Sequence, residues 1–298
     1  MPEIPAHMSL ERLRELTVAG HPQFAGARFT ILADGWDSVA LDIDDRYIIK
    51  FPRHEVAEQS LRREVLLLSV IAPRVLMPVP VMDLHDIPVA HTIHAKLPGR
   101  ALDPAAYDKV PESMRAEIGE RLGQFYAHLH AINPDLLANA GAGPVQEWLD
   151  AETIRHRIAP HLTPALVPWA EEALEKLELL GPDPHGITYG LFDGHGWNMA
   201  YDPAQNRFGG IFDFGDSGFG PLHQEFIYSN LIAPDLTARI INSYERHSGR
   251  TLDRDRILLL TDMHRLWEIA EEHENPEGMT AMLEAAQAWV SIRPQDWS

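Results

Sequence analysis

The sequence predicts an α+β fold in two lobes, a small antiparallel β-rich lobe with one helix and a larger, mainly helical lobe. Three observations carry this. Apolar residues alternate or form short runs through the first third of the chain, as strands do. From about residue 100 the apolar spacing becomes helical. The formal charge of −19 divides unevenly at the same place: residues 1–97 hold 10 Lys/Arg against 13 Asp/Glu, and residues 98–298 hold 15 against 31. The boundary is set at residue 97, just before Pro98 and Gly99 break the pattern.

The elements follow in order. "ARFTILADG", "SVALDID" and "RYIIKFP" read as three antiparallel strands, turning at Gly35 and at Asp44-Asp45. Residues 54–71 carry Val56, Leu61, Val65 and Leu68 at helical spacing, and Pro73 ends the run. "PVPVMDLHDIPVAHTIHAKL" reads as two more strands around a turn at Asp86 to Pro88. In the second lobe "PESMRAEIGERLGQFYAHLHAI" is a long amphipathic helix with Met114, Ile118, Leu122, Phe125 and Leu129 on one stripe. Further helices are expected near 144–158, 165–180, 222–248, 253–273 and 277–291. Short strands, "GITYG", "WNMAYD" and "FGGIFDF", interrupt them.

Composition removes several function classes. There are no cysteines, hence no disulfides, thiolate zinc sites or cysteine nucleophiles, which fits a reducing cytoplasm. No apolar run approaches the roughly 20 residues of a membrane span, and "MPEIPAHMSLERLREL" lacks the basic-then-apolar pattern of a signal peptide. The acidic balance repels nucleic acid, whose binding relies on Lys/Arg at phosphates, and would attract a cationic small molecule. Two histidine pairs, His91/His94 and His128/His130, fall on strands or helices with no convergent third ligand, so a zinc site is not expected.

The chemistry concentrates in "GLFDGHGWNMAYDPAQNRFGGIFDFGDSG", residues 190–218. Within it, Gly215-Asp216-Ser217-Gly218 matches the string around a trypsin-like nucleophile, but a helix-rich chain is the wrong fold for that protease, and Phe219 stands where a second glycine belongs. The other reading is phosphoryl transfer, which rests on positioning and charge neutralisation and so demands a set of parts. Asp193 and Asn198 have the Asp-x-x-x-x-Asn spacing of a hydroxyl-orienting carboxylate and a metal ligand. Asp213 opens Asp-Phe-Gly fifteen residues after Asn198, room for a hairpin that returns a second metal ligand beside the first. Lys50 ends a small-lobe strand, and Glu64 lies fourteen residues on in the following helix. Gly35 and Ser38 sit in a strand–turn–strand that can lie against phosphates. Singly these are ordinary residues; their order and spacing together point to phosphotransfer. With an unperturbed pKa of about 3.9, an aspartate is a weak base that orients the hydroxyl and takes its proton late.

On these segments the chain resembles the aminoglycoside phosphotransferase-like kinases, small-molecule kinases of the protein-kinase-like fold, over roughly residues 28–250. "GWDSVALDIDDRYIIKFPR" is similar to their nucleotide-loop and lysine strand, "RREVLLLSVI" to their glutamate helix, and "FDGHGWNMAYD" with "GIFDFGDSGFGPLHQEF" to their catalytic and metal segments. The resemblance implies ATP or GTP with Mg²⁺, Asp193 as catalytic residue, Asn198 and Asp213 as metal ligands, Lys50 and Glu64 as the phosphate-binding ion pair, and "AHTIHAKL" as the connection that holds the base. Two positions depart from it: Leu191 stands where the family has a loop-bracing histidine, and Glu225 where it often has aspartate. His195 and Asp216 lie in these segments without an assigned role. The expected activity is Mg-dependent transfer of a γ-phosphoryl group to a hydroxyl of a small, cationic, aminoglycoside-like acceptor. The alternatives are a housekeeping kinase of an amino alcohol, sugar or macrolide-type molecule, and a catalytically degenerate nucleotide-binding fold. Protein kinase activity is disfavoured because no Ala-Pro-Glu segment follows Asp213.

Overall fold

A computed structural model describes residues 8–34 and 37–294; Gly35 of the turn expected to face phosphates lies outside them. The chain opens with a helix that the strand pattern did not suggest, α1 (Leu10–Gly20), capped by Ser9, whose hydroxyl accepts from the Arg12 N–H at 3.2 Å. It buries Leu13 and Leu16 on one face of a sheet. The strands are β1 (Phe29–Asp34), β2 (Ser38–Ile43), β3 (Tyr47–Pro52), β4 (Asp83–His85) and β5 (His91–Ala95), in the order β1-β2-β3-β5-β4 with every neighbour antiparallel. Val39, Leu41, Ile49 and Phe51 point to the α1 face and are fully or nearly fully buried. Lys50, paired with Ala40 and Thr92, therefore points the other way.

Between β3 and β4 runs α2 (Glu55–Ile71), capped by His54 Nδ1 on the Ala57 N–H. Its buried face is Ala57, Leu61, Glu64, Leu67, Leu68 and Ile71, whereas Val56 is 71% exposed. Leu61 and Leu68 of the stripe read in the sequence lie in that row, but Ala57 and Glu64 take the places expected of Val56 and Val65, which puts a carboxylate among the buried side chains.

After β5 the chain forms β6 (Arg100–Ala101), α3 (Pro104–Tyr107), α4 (Glu112–His130), α5 (Pro134–Asn139), α6 (Ala151–Ile158), α7 (Val167–Leu179), β7 (Ile187–Gly190), β8 (Met199–Asp202), β9 (Arg207–Ile211) and β10 (Gly218–Pro221). It ends with α8 (Pro234–Ser248), α9 (Arg254–Glu271) and α10 (Pro276–Ile292). The predicted α4 stripe is buried throughout. On the flank of that stripe, a Cβ at Gly119 or Gly123 would lie 2.4 Å from Arg239 or Ser243 Cβ, so these glycines let α8 pack backbone-close.

Two expected helices differ. The helix expected at 144–158 starts only at α6, capped by Asp150, while Pro144 bridges in parallel to Phe219. The one expected at 222–248 is three pieces: 3-10 turns at Leu222–Phe226 and Tyr228–Leu231, then α8. Pro234 forces the last of these breaks, since proline cannot occupy a helix interior and keeps Ala233 extended (φ −164°, ψ 137°). The terminal helices are tied by one carboxylate. Asp262, buried on α9, accepts from Trp169 Nε1 of α7 (3.0 Å), Trp289 Nε1 of α10 (2.7 Å) and Arg293. No helix among the described residues is long and apolar enough to cross a membrane.

Candidate active site

The site forms where the open face of the β1–β5 sheet meets the segments around residues 190–218. Lys50 reaches from β3 and donates to Asp213 Oδ1 at 2.9 Å and, more loosely, to Glu64 Oε2 at 3.5 Å. Glu64's other oxygen, Oε1, accepts the Phe214 N–H at 2.9 Å. Next to it on α2, Arg63 donates to the Gly215 carbonyl at 2.8 Å. Residues 50, 64 and 213, separated by up to 163 positions, thus meet in one cluster, and two consecutive α2 side chains grip the Asp-Phe-Gly backbone. Burial works against the Lys50 ammonium, but the carboxylates of Glu64 and Asp213 outweigh it and hold its pKa well above the ordinary lysine value. Burial pushes the Glu64 carboxyl up, a shift that Lys50 only partly offsets. Ser38 lies on the same sheet face as Lys50, at the start of β2 opposite Pro52.

The loop that carries Asp193 follows β7, which pairs with β10. Asn198 Nδ2 donates to Asp193 Oδ2 at 2.7 Å and to the Asp193 carbonyl at 3.1 Å. The β8–β9 hairpin pairs Met199 with Ile211, and one further bond, Phe212 N–H to Asn198 O at 2.9 Å, sets Asp213 beside Asn198. Asp213 itself adopts φ +67°, a left-handed conformation sparsely populated outside glycine, that turns its carboxylate back to Lys50. Oxygen donors are what a hard dication such as Mg²⁺ requires. Asn198 spends its amide nitrogen on Asp193 and leaves its amide oxygen for a cation, while Asp213 spends one oxygen on Lys50 and keeps the other. The residues fit that ion. His195 Nε2 lies 3.1 Å from Asp193 Oδ1; burial lowers its basicity but the carboxylate prevails and raises it.

Support for the loop comes from a residue whose role the sequence left open. Glu225, fully buried, accepts the Leu191 N–H at 2.8 Å and the Phe192 N–H at 3.1 Å, where Phe192 takes φ +52°. Behind it His130 Nε2 lies 3.3 Å from Glu225, with its Nδ1 3.0 Å from the Tyr244 hydroxyl. A Cβ at Gly190 would sit 1.8 Å from Glu225 Oε2, so only glycine leaves room for the longer acid. Leu191 is buried in the core, and its backbone, not its side chain, anchors the loop. Sequence reasoning also missed Arg63, for which nothing marks one helical arginine over its neighbour Arg62.

Against Asp193 opens a cavity of about 260 Å³ whose lining includes Trp148, Trp267, Tyr228, Gln146 and Asp216. The two indoles stack at 6.4 Å and 23°. Asp216 is open to the cavity but enclosed by protein elsewhere; that desolvation, with the like charges of Asp193 and Asp213, pushes its carboxyl above the ordinary aspartate value. Trp267, moreover, buries its indole N–H without an acceptor among the described residues. The cavity therefore offers aromatic faces and acidic groups.

Comparison with known proteins agrees with this geometry. The structure superposes on the GDP complex of wild-type aminoglycoside 2'-phosphotransferase-IIIa with a TM-score of 0.78 at 15% identity, covering 95% of this chain and 99% of that one. It matches the apoenzyme of a macrolide 2'-phosphotransferase from Brachybacterium faecium with a TM-score of 0.65 at 17% identity, covering 97% and 100%. A ternary complex of an aminoglycoside phosphotransferase with streptomycin and ATP gives 0.58 at 17% identity, covering 93% and 97%. No curated protein sequence matches the chain. The profile of the phosphotransferase enzyme family matches residues 28–260, most of the length, and the chain belongs to that family, on a protein-kinase-like fold.

Proposed function

We propose that the protein transfers the γ-phosphoryl group of ATP or GTP, with Mg²⁺, to a hydroxyl of a small cationic molecule. In this reading residues 1–97 form the nucleotide lobe and residues 98–298 the catalytic and acceptor lobe. Lys50, oriented by Glu64, meets the phosphates, and Ser38 on the same sheet face lies along them. Asn198 and Asp213 hold the metal, which supplies neutralisation of phosphate charge when bound. Asp193 orients the acceptor hydroxyl and takes its proton as the new O–P bond forms and the bond to the nucleoside diphosphate breaks. The supporting observation is the contact of Lys50 with both Glu64 and Asp213, in a structure where Asn198 bonds Asp193 and the strand leading to Asp213.

The cationic acceptor is inferred from the cavity beside Asp193. Asp216 has no counter-charge strong enough to hold its carboxyl at the ordinary value, and stacked indoles complement a cation. An aminoglycoside or amino alcohol has this chemistry. The test is release of ADP or GDP in a coupled assay over aminoglycosides, macrolides and small amino alcohols. Stimulation by cationic members is expected. Asp193→Ala is expected to abolish transfer while nucleotide affinity stays within about threefold, under ~1 kcal/mol. Unchanged turnover in that variant would refute the assignment.

A further inference from the structure

We infer that His21, His85 and His91 form a binding site for a borderline transition dication, Zn²⁺ or Co²⁺ in class, that clasps α1 to the β4–β5 hairpin. The site lies on the α1 side of the small lobe and uses none of the residues assigned to phosphotransfer. His21 is the residue that ends α1, His85 the last of β4 and His91 the first of β5, and the latter two are direct cross-strand partners. One ligand atom from each ring lies within 4.8 Å of the other two. The rings of His85 and His91 stack at 5.2 Å and 14°, and His21 stands edge-on to both, at 4.7 Å and 5.1 Å. Three imidazoles on one point are the ligand set of an open three-histidine zinc site, with the fourth position left to solvent.

A simpler reading is a cluster of imidazoles that hydrogen-bond one another, since His21 Nε2 and His91 Nε2 are 2.8 Å apart. What favours a ligand site is the far side of His91. Its Nδ1 lies 2.8 Å from the Val89 carbonyl and must donate its proton there, so Nε2 carries a lone pair aimed into the cluster. A ring fixed by a backbone carbonyl is the usual support of a metal-bound histidine. Loading requires that the His21 proton move from Nε2 to Nδ1 and that the three ligand nitrogens, now within 4.8 Å of one another, settle to about 3.3 Å apart, the edge of a tetrahedron with Zn–N near 2.05 Å. His85 is half-buried at the rim, which admits water to the fourth position. The neighbouring carboxylate, Asp86, is engaged by Arg62.

The experiment uses the full chain, stripped with chelator and kept in excess Mg²⁺ so that sites of oxygen ligands are filled. Zn²⁺ is titrated by calorimetry, and Co²⁺ by the visible absorption of a tetrahedral nitrogen site. One equivalent with a Kd on the order of 1 µM or tighter is expected. His85→Ala and His85→Gln, both at the exposed rim where folding is least at risk, should weaken binding at least about tenfold and abolish the cobalt spectrum. His161→Ala, in the other lobe, should change neither. Absence of a stoichiometric site in the wild type would overturn the inference, as would affinity unchanged from wild type in both His85 variants.

Discussion

The brace under the Asp193 loop gives the sharpest test of how this site is held. Consider Glu225→Gln, which preserves shape and removes one acceptor. Both carboxylate oxygens are in use, one on the Leu191 N–H at 2.8 Å and the other on the Phe192 N–H at 3.1 Å, and the group is fully buried. Whichever way the amide turns, one backbone N–H faces an NH₂ group. The variant therefore loses one charge-assisted bond and buries two opposed donors, a cost of about 2–4 kcal/mol. For a chain of this size that corresponds to a fall in Tm of roughly 5–15 °C. The freed N–H belongs to the residues immediately before Asp193, so the carboxylate shifts with it. Displacements near 1 Å cost on the order of 100-fold in rate, and a drop in kcat of about ten- to a hundredfold is expected. Lys50 and Glu64 touch no part of this brace, so the KM for nucleotide should stay within about threefold, under ~1 kcal/mol. Thermal unfolding by circular dichroism and steady-state nucleotide turnover read the two effects. Gly190→Ala, whose new methyl would meet Glu225 Oε2, should reproduce both. A Glu225→Gln protein with wild-type Tm and kcat would refute the view that this acid carries the loop.

Three further outcomes follow from named contacts. Glu64→Gln keeps an acceptor for the Phe214 N–H but turns its NH₂ toward the Lys50 ammonium and removes a counter-charge, so it should cost about 1–3 kcal/mol, and Glu64→Ala, which also orphans the N–H, should cost more; urea denaturation compares them. Asp262→Ala strands three donors from Trp169, Trp289 and Arg293 in or near the core, so stability should fall by about 3–5 kcal/mol in urea denaturation while turnover at 25 °C persists. Asp183 gives a pH signature. Burial opposes its charge, but the N–H groups of His223 and His185 and the His223 ring outweigh burial and hold its pKa below the ordinary value. Its contribution is thus present above the unfolded aspartate pKa of about 3.9 and lost as pH falls through the folded value. Asp183→Asn should lower Tm at pH 7, and the gap to wild type should narrow progressively in thermal melts taken below the unfolded aspartate value.

What the sequence made legible was whatever repeats at short range or folds back within one hairpin. β1 to β3 alternate, α4 keeps its stripe, and fifteen residues between Asn198 and Asp213 fit β8, a turn and β9 returning to the same place. α1 carries a comparable signal, Ser9 followed by Leu10, Leu13 and Leu16, but it stands alone among strands and its burial is decided only by the sheet face above it. Arg63, His130 and the partnership of His21 with His85 and His91 leave no local mark, because each contact joins elements far apart in the chain. The sequence pairs His91 with His94, three residues along and so on the other face of the strand, whereas its imidazole partners are His21 and His85.

The two departures from the resembled family are explained together by the same distinction. Leu191 removes a side chain that would brace the loop from within, and a reading by position alone takes this as damage. The loop is held instead through the backbone of Leu191 and Phe192 by an acid from elsewhere in the chain, and a main-chain N–H is indifferent to the side chain beside it. Freed of a polar duty, position 191 can be apolar, and leucine is buried there in the core. The extra methylene of Glu225 relative to aspartate is accommodated because Gly190 has no Cβ, and the carboxylate is steadied from behind by His130 and Tyr244. Leu191, Glu225, Gly190 and His130 are therefore one arrangement. Restoring the family residues singly, as Leu191→His or Glu225→Asp, should destabilise the loop: the first buries a ring amid apolar neighbours, and the second withdraws the acceptor from the two N–H groups it holds.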